Sequence, residues 1–362
     1  MSRKIISLLL VVCMLIPLGL TAYAAEADAN SLEIEVADRI EQMVFAAYSD
    51  SPGQYRVNDP ITIYNADIEC IYYILPVFCG QNCVGTVEVD ATGNISLTED
   101  VVLYTNISEL TSSEYLLYTS GGVVYAEVSG NVFELYDSGF YISLSNDFTT
   151  LPYTEKVATV DTCLENTPSN FDINTVAETV DLVCIIDSNI SLFAEVPSVE
   201  AKNCAITKFV TQGNYNICWA ACVATIVNFK NGRNLSAANV ASALGHNYTS
   251  SSYTGASASQ TVSALSYYGL SYSNTNAKLS WTRVKSNINA NSPFIMGITC
   301  SVGGHMLTGY GYSCQYGDDE ADAAMRYVQV WDPNGYKRTL QYYASSYSLY
   351  GYSWRWTETL VD

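Results

Sequence analysis

The sequence predicts an α+β protein in two parts, a β-rich N-terminal domain and a second domain whose helices come first and strands after. Three observations predict it. Short β-type runs separated by turn residues fill most of the chain before about Thr150. After about Lys208, four helical stretches are followed by three strands. The charge divides at the same place: up to Cys204 there are 6 Lys+Arg against 29 Asp+Glu, net −23, and from Ala205 onward 10 against 7, net +3. Segregated helices and strands are the α+β pattern, and 362 residues suit two domains better than one.

The start of the chain is a targeting signal. Arg3 and Lys4 precede an apolar run from Ile5 to Leu20, interrupted by Pro17 and Gly19, and Ala22-Tyr23-Ala24 supplies a small-x-small cleavage pattern. Residues 1–24 therefore read as a signal peptide cut at about Ala24/Ala25. The run is too short and broken for a membrane span, so the mature chain is expected to be secreted, extracellular and off the membrane. With 49% hydrophobic and 14% charged residues, the composition excludes a disordered chain. The acidic excess excludes nucleic acid as a partner, because phosphate neutralisation needs basic patches. Of 11 cysteines, Cys13 leaves with the signal; if one of the remaining ten is catalytic, nine cannot all pair. Cys70, Cys79 and Cys83 either contain a hairpin-scale bridge or are buried thiols.

In chain order, Leu32, Val36, Ile40, Met43, Val44 and Ala47 fall on one side of a helix spanning Ser31 to Tyr48. Strands are expected at Ile61–Tyr64, Ile71–Phe78, Gly85–Val89, Ile95–Leu97, Gly122–Val128, Val132–Tyr136 and Tyr141–Leu144. Turns such as Asp90-Ala-Thr-Gly93 and Ser129-Gly-Asn131 separate them, giving a meandering antiparallel sheet. The pattern weakens from about Thr150, and a junction falls between Leu192 and Lys208, so the acidic domain is taken as 25–203 and the second domain as 204–362. Helices follow at Ile217–Phe229, Ser236–Leu244 (Ser236 as cap, Gly245 past the end), Ser257–Tyr268 and Ser280–Asn289. The strands are Pro293–Cys300, His305–Tyr312 and Arg326–Trp331.

Chemistry concentrates in three segments. Cys218 sits where the Ile217–Phe229 helix begins, near unsatisfied N–H groups and the positive end of the macrodipole, which favour a thiolate. Gln212, six residues earlier, offers an amide donor that joins the Cys218 N–H as an oxyanion hole. His305 follows Gly303-Gly304 at a strand start and can take the thiol proton. The strand Tyr327–Trp331 ends at Asp332-Pro333-Asn334, where Asp332 first, or Asn334 second, accepts from the other ring nitrogen.

Gln212, Cys218-Trp219-Ala-Ala-Cys222, Gly304-His305 and Asp332 together resemble the papain-like cysteine peptidases of bacteria, especially small secreted or effector types and bacteriocin-processing domains. The resemblance covers about Thr211 to Asn334 and implies a two-lobed fold, a helical lobe carrying Cys218 and an antiparallel β lobe carrying His305 and Asp332. It implies an extended peptide or protein substrate, no cofactor, and a zymogen whose N-terminal region acts as intramolecular inhibitor. The sequence departs from papain itself in having Tyr215-Asn216-Ile217 before the nucleophile and Asp332 in place of an Asn.

Competing uses of the same residues are weaker. Cys222, one turn deeper in the helix, and His246, after Gly245 at a helix end, read as structural. The Cys218-x3-Cys222 spacing with one distant His lacks paired zinc ligands, and no Gly-x-Ser-x-Gly elbow marks a serine hydrolase. The alternatives are another thiol acyl transfer or cell-wall peptide hydrolysis at the same site, and a non-catalytic surface binding module.

Overall fold

The computed structural model describes residues 32–110, 115–137, 148–166, 171–180, 183–185, 198–250, 252–316 and 326–362. The signal peptide, the strand expected at Tyr141–Leu144 and the first part of the junction after Leu192 lie outside these residues. The architecture is mixed, with eight helices and one large sheet among the described residues, compatible with α+β.

In the acidic region, helix α1 (residues 32–47) buries Val36, Ala37, Ile40, Met43 and Val44, the one-sided spacing of its sequence. The sheet hub is β3 (Cys70–Cys79). One edge of β3 carries β4 (Asn82–Asp90); the other carries β2 (Ile61–Asn65) along its first half and β1 (Gly53–Val57) along its last. Pro76 falls between these two ladders. Its carbonyl accepts from Asn58 N–H on that edge at 3.0 Å, so its missing donor falls in the gap.

Strand β5 (Ile95–Thr98) continues the sheet beyond β4. Strand β2 pairs with β6 (Leu116–Ser120), which leads to β7 (Val123–Val128) and β8 (Asn131–Asp137). The β2–β6 pair is parallel, a departure from the expected all-antiparallel meander. Parallel neighbours need a long crossover, and helix α2 (Val102–Ser108) lies within it. Helices α3 (Tyr153–Asn166) and α4 (Ile173–Thr179) occupy the stretch where the sequence pattern weakens. Strand β9 (Val183–Ile185) pairs with β1.

The acidic region ends with β10 (Ser198–Asn203), laid antiparallel on β13 (Gly303–Tyr316) of the second region. Four helices follow: α5 (Cys218–Asn231), α6 (Ala237–Ala243), α7 (Ala258–Tyr267) and α8 (Trp281–Asn289). Ser236 and Ser257 form capping boxes with Asn239 and Gln260, and Ser280 accepts from the Arg283 N–H, so three of the four starts are set by a serine. Helix α5 ends at Gly232 with φ 63°, the left-handed stop.

The strands are β11 (Ser273–Asn274), β12 (Phe294–Cys300), β14 (Arg326–Asp332), β15 (Tyr336–Gln341), β16 (Tyr347–Leu349) and β17 (Tyr352–Val361). They run β11–β17–β12–β13–β14–β15, with β16 on β17. The sheet does not stop there. β15 pairs with β5 of the acidic region, Arg338 opposite Thr98 and Thr339 opposite Leu97. One apolar cluster likewise includes Tyr72 and Ile74 from the first region with Tyr350, Tyr352 and Trp354 from the second.

Nine described cysteines are free thiols, among them Cys70, Cys79 and Cys83, which settles that trio as thiols rather than a bridge. Among the described residues no helix is long and apolar enough to cross a membrane.

Candidate active site

Helix α5 is buried from Trp219 to Asn228, and a helix apolar on all sides belongs inside a core. That burial fixes its N-terminal residue, Cys218, which is half-buried. As a first-turn residue, Cys218 has an N–H with no partner inside the helix. Cys222, one turn deeper, is fully buried, and its thiol donates to the Met306 carbonyl at 3.4 Å. Burial pushes the Cys222 thiol well up, so it stays protonated.

His305 stands on β13, opposite Ile298 of β12. Its Nε2 is 2.9 Å from Asp332 Oδ1, and the ring is also hydrogen-bonded to Cys218. With Nε2 engaged by the carboxylate, Nδ1 is the nitrogen left for the thiol. Burial alone would lower the affinity of His305 for its second proton. The Asp332 carboxylate and the Cys218 sulfur outweigh it, and the imidazole is raised to about 10. Asp332, at 0% exposure, would be pushed up by burial, yet His305⁺, Arg338 and Tyr350 hold it well below the usual carboxylate range. The pair is therefore an imidazolium and a carboxylate at neutral pH.

Asp332 ends β14 and accepts four hydrogen bonds. Oδ1 takes His305 Nε2 and, at 3.1 Å, the Asn334 N–H; Oδ2 takes Arg338 Nε at 2.9 Å and the Tyr350 hydroxyl at 2.7 Å. Four donors fill the acceptor capacity of a carboxylate. Between the two candidates for the position facing His305, the structure puts Asp332 there. The side chain of Asn334 instead donates to Tyr350 Oη at 2.9 Å.

Gln212 is buried, and its N–H donates to the Pro333 carbonyl at 2.8 Å, next to Asp332. The segment before it is held along the same strand end: Phe209 stacks on Trp331 at 4.8 Å, and Trp331 Nε1 donates to the Val210 carbonyl at 3.0 Å. The structure thus brings Gln212, Cys218, His305 and Asp332 to one place, from a loop, a helix start and two strands.

His246 lies against Trp219, ring centres 4.8 Å apart, and shares a 3.1 Å hydrogen bond with Tyr253 Oη, which also accepts from Trp219 Nε1 at 3.0 Å. It anchors the wall beside Cys218. Gly304, just before His305, is not forced by close approach: a Cβ there would meet nothing nearer than 3.7 Å. The forced glycines lie further along β13, where a Cβ on Gly309 would strike the Phe294 ring and one on Gly311 the Asn203 amide. Sequence reasoning missed Arg338 and Tyr350. Arg338 lies in a short strand buried from Arg338 to Gln341, where a buried Arg requires a buried anion. Tyr350 precedes Gly351 in a tight turn and carries no other mark among 29 tyrosines. Among the described residues no group of three His, Cys, Asp or Glu could hold a metal ion.

Residues 205–360 match the Peptidase_C39 like family, and the match supports a cysteine peptidase domain in this part of the chain. The search of curated proteins finds no match.

Proposed function

We propose that the chain is an exported cysteine endopeptidase in which Cys218, His305 and Asp332 act as a triad and Gln212 assists. The observation that carries this reading is the line Cys218–His305–Asp332, in which a buried carboxylate keeps the imidazole charged beside the sulfur. The Cys218 thiolate attacks the scissile carbonyl carbon, and the new S–C bond pushes the C=O electron pair onto oxygen. The Cys218 N–H and the Gln212 amide meet that oxyanion. His305 Nδ1–H protonates the leaving nitrogen as the C–N bond breaks, leaving a thioester. Water, deprotonated by His305, then releases the acyl group and regenerates the ion pair.

A papain-like two-lobed layout suits this reading. The helical side carries Cys218, the strands carry His305 and Asp332, and an extended peptide lies between them. The reading keeps a signal peptide and a precursor cut between about Leu192 and Gln212. Among the described residues, the hydrogen bonds and strand pairing of the acidic region to the second region include those to β13, to β15, to the β16–β17 turn and to Tyr327, Tyr352 and Gln341.

Purified chain held under mild reduction, with intact mass followed over time, tests the proposal, alongside labelled casein and cell-wall stem peptides as substrates. Casein cleavage abolished in Cys218→Ala, with the far-UV spectrum unchanged, is the expected result. Cleavage that survives in Cys218→Ala refutes the assignment. Turnover of stem peptides alone moves the function to cell-wall hydrolysis.

A further inference from the structure

We propose that Tyr350, fixed in place by Glu88 of the acidic region, is a positioning residue for Asp332, so that the acidic region is a working part of the active site. The inference rests on the Cys218–His305–Asp332 reading and adds a residue set to it.

The observations form a chain from one region into the other. Tyr350 and Gly351 are the two loop residues of the β16–β17 hairpin, between Leu349 and Tyr352, which face each other. Both have positive φ, 58° and 75°, the geometry of the tightest hairpin turns. Gly351 has no freedom to be anything larger, because a Cβ there would lie 2.6 Å from the Tyr72 ring and 2.9 Å from Asn65 Nδ2. Tyr350, however, is not glycine, and a tyrosine stays in the left-handed region only where surrounding bonds hold it.

Those bonds come from the acidic region. Glu88, near the end of β4 and buried, accepts from the Tyr350 N–H at 3.0 Å, the Gly351 N–H at 2.7 Å and the Ser348 hydroxyl at 2.8 Å. Asn65 Nδ2 donates to the Gly351 carbonyl at 2.8 Å, and the Ser96 hydroxyl donates to the Ser348 carbonyl. Burial holds the Glu88 carboxyl above its ordinary value, with the Gly351 N–H, Arg338, Ser348 and the Tyr350 N–H opposing it only in part. So fixed, the turn directs the Tyr350 hydroxyl onto Asp332 Oδ2, and the Asn334 amide donates to the same hydroxyl. Arg338, beside both carboxylates, lies over the Tyr350 ring at 4.5 Å.

The chemical content is orientation. His305 is useful to Cys218 only while Nε2 is tied to Asp332 Oδ1, and a carboxylate held on Oδ2 by two donors cannot swing away. Without Tyr350, one of those two is lost. Without Glu88, the turn carrying Tyr350 loses three acceptor contacts.

The test compares wild type, Tyr350→Phe and Glu88→Gln in the full chain, each checked by thermal unfolding. Tyr350→Phe keeps the ring and removes only the hydroxyl; Glu88→Gln keeps the shape but turns a donor toward a backbone N–H. One readout is casein hydrolysis. The other is the rate of Cys218 alkylation by iodoacetamide against pH, with Cys218→Ala as the blank, which needs no substrate. Expected for both variants is a kcat lowered about 10–100-fold with KM within about 2-fold. The acid limb of the alkylation profile moves to higher pH, as a less well-held imidazolium stabilises the thiolate less. A mere loss of stability would leave that limb in place. If wild type shows low-pH thiol reactivity and Tyr350→Phe matches it in both readouts, the positioning role is refuted and the triad stands. If the wild-type thiol reacts only in the range of an ordinary cysteine, the triad falls and the positioning role with it.

Discussion

Replacing Asp332 by Asn separates the geometry of the site from its charge. The side chain keeps its shape, but one oxygen becomes an NH₂. All four acceptor positions of Asp332 are in use, two per oxygen. Either placement of the amide therefore sets two donors against donors. If the NH₂ faces His305, the imidazole loses its acceptor and the tautomer that leaves Nδ1 for the thiol. If it faces Arg338, a guanidinium only 3% exposed loses the bond to its nearest anion. Removing one partner of a buried pair costs about 3–5 kcal/mol, with Glu88 offsetting part of it here. The loss of the oriented ion pair lowers kcat/KM by roughly 10²–10⁴-fold, by the logic of triad aspartates. Urea unfolding and casein hydrolysis measure the two effects separately, and iodoacetamide alkylation reports the thiolate. An Asp332→Asn protein with wild-type stability and undiminished alkylation at acidic pH would refute the account of Asp332 as counter-ion to both His305 and Arg338.

Gln212→Ala is expected to lower kcat by roughly 10²–10³-fold with little change in Cys218 alkylation, since the amide acts on the oxyanion rather than on the thiol. An unchanged kcat removes Gln212 from the oxyanion hole. The His305 ion pair also makes a pH-dependent contribution to stability. Its folded value of about 10 lies above the unfolded value of about 6.5, so the contribution is complete below about pH 6.5 and lost as pH rises through about 10. Urea unfolding of wild type and His305→Asn should therefore show a gap that narrows from near-neutral to strongly alkaline pH, and a gap that widens contradicts the assigned ionisation.

The helical part of the site was legible because its signals are local. Ser236, Ser257 and Ser280 cap their helices through their own side chains, and Cys218 begins an apolar helix that only a core accommodates. The strand ending at Asp332 was legible from alternation, and the strand of His305 from its start after Gly303-Gly304. The strands after Asp332 were not anticipated: β15 follows a short turn, and β16 and β17 form a hairpin whose burial comes from the other region of the chain. The parallel β2–β6 pair was hidden for a related reason, since pairing partners separated by a helix leave no mark in either strand. Arg338 and Tyr350 were missed because their roles depend on Asp332 and Glu88, residues distant in sequence.

The charge asymmetry of the sequence invites the idea that the acidic region is drawn to the second region electrostatically, and the structure weighs against that as the main cause. The ion pairs between the regions, Lys337 with Glu99 at 3.5 Å and Lys285 with Glu200 at 2.5 Å, are partly exposed on both sides, and such pairs are worth about 0–1 kcal/mol each. A second region of net +3 cannot neutralise a first of −23. What joins them is short-range and directional: the β5–β15 ladder, the shared apolar cluster and the bonds from Glu88, Asn65 and Ser96 to the β16–β17 turn. Hydrogen bonds contribute roughly 0.5–1.5 kcal/mol each in net terms, so the three ending on Glu88 together are worth more than either exposed pair. One of the 29 acidic residues of the first region thus does more to set the contact than the net charge does, because it alone of the interface carboxylates is buried with two backbone N–H groups of the turn beside Asp332 aimed at it.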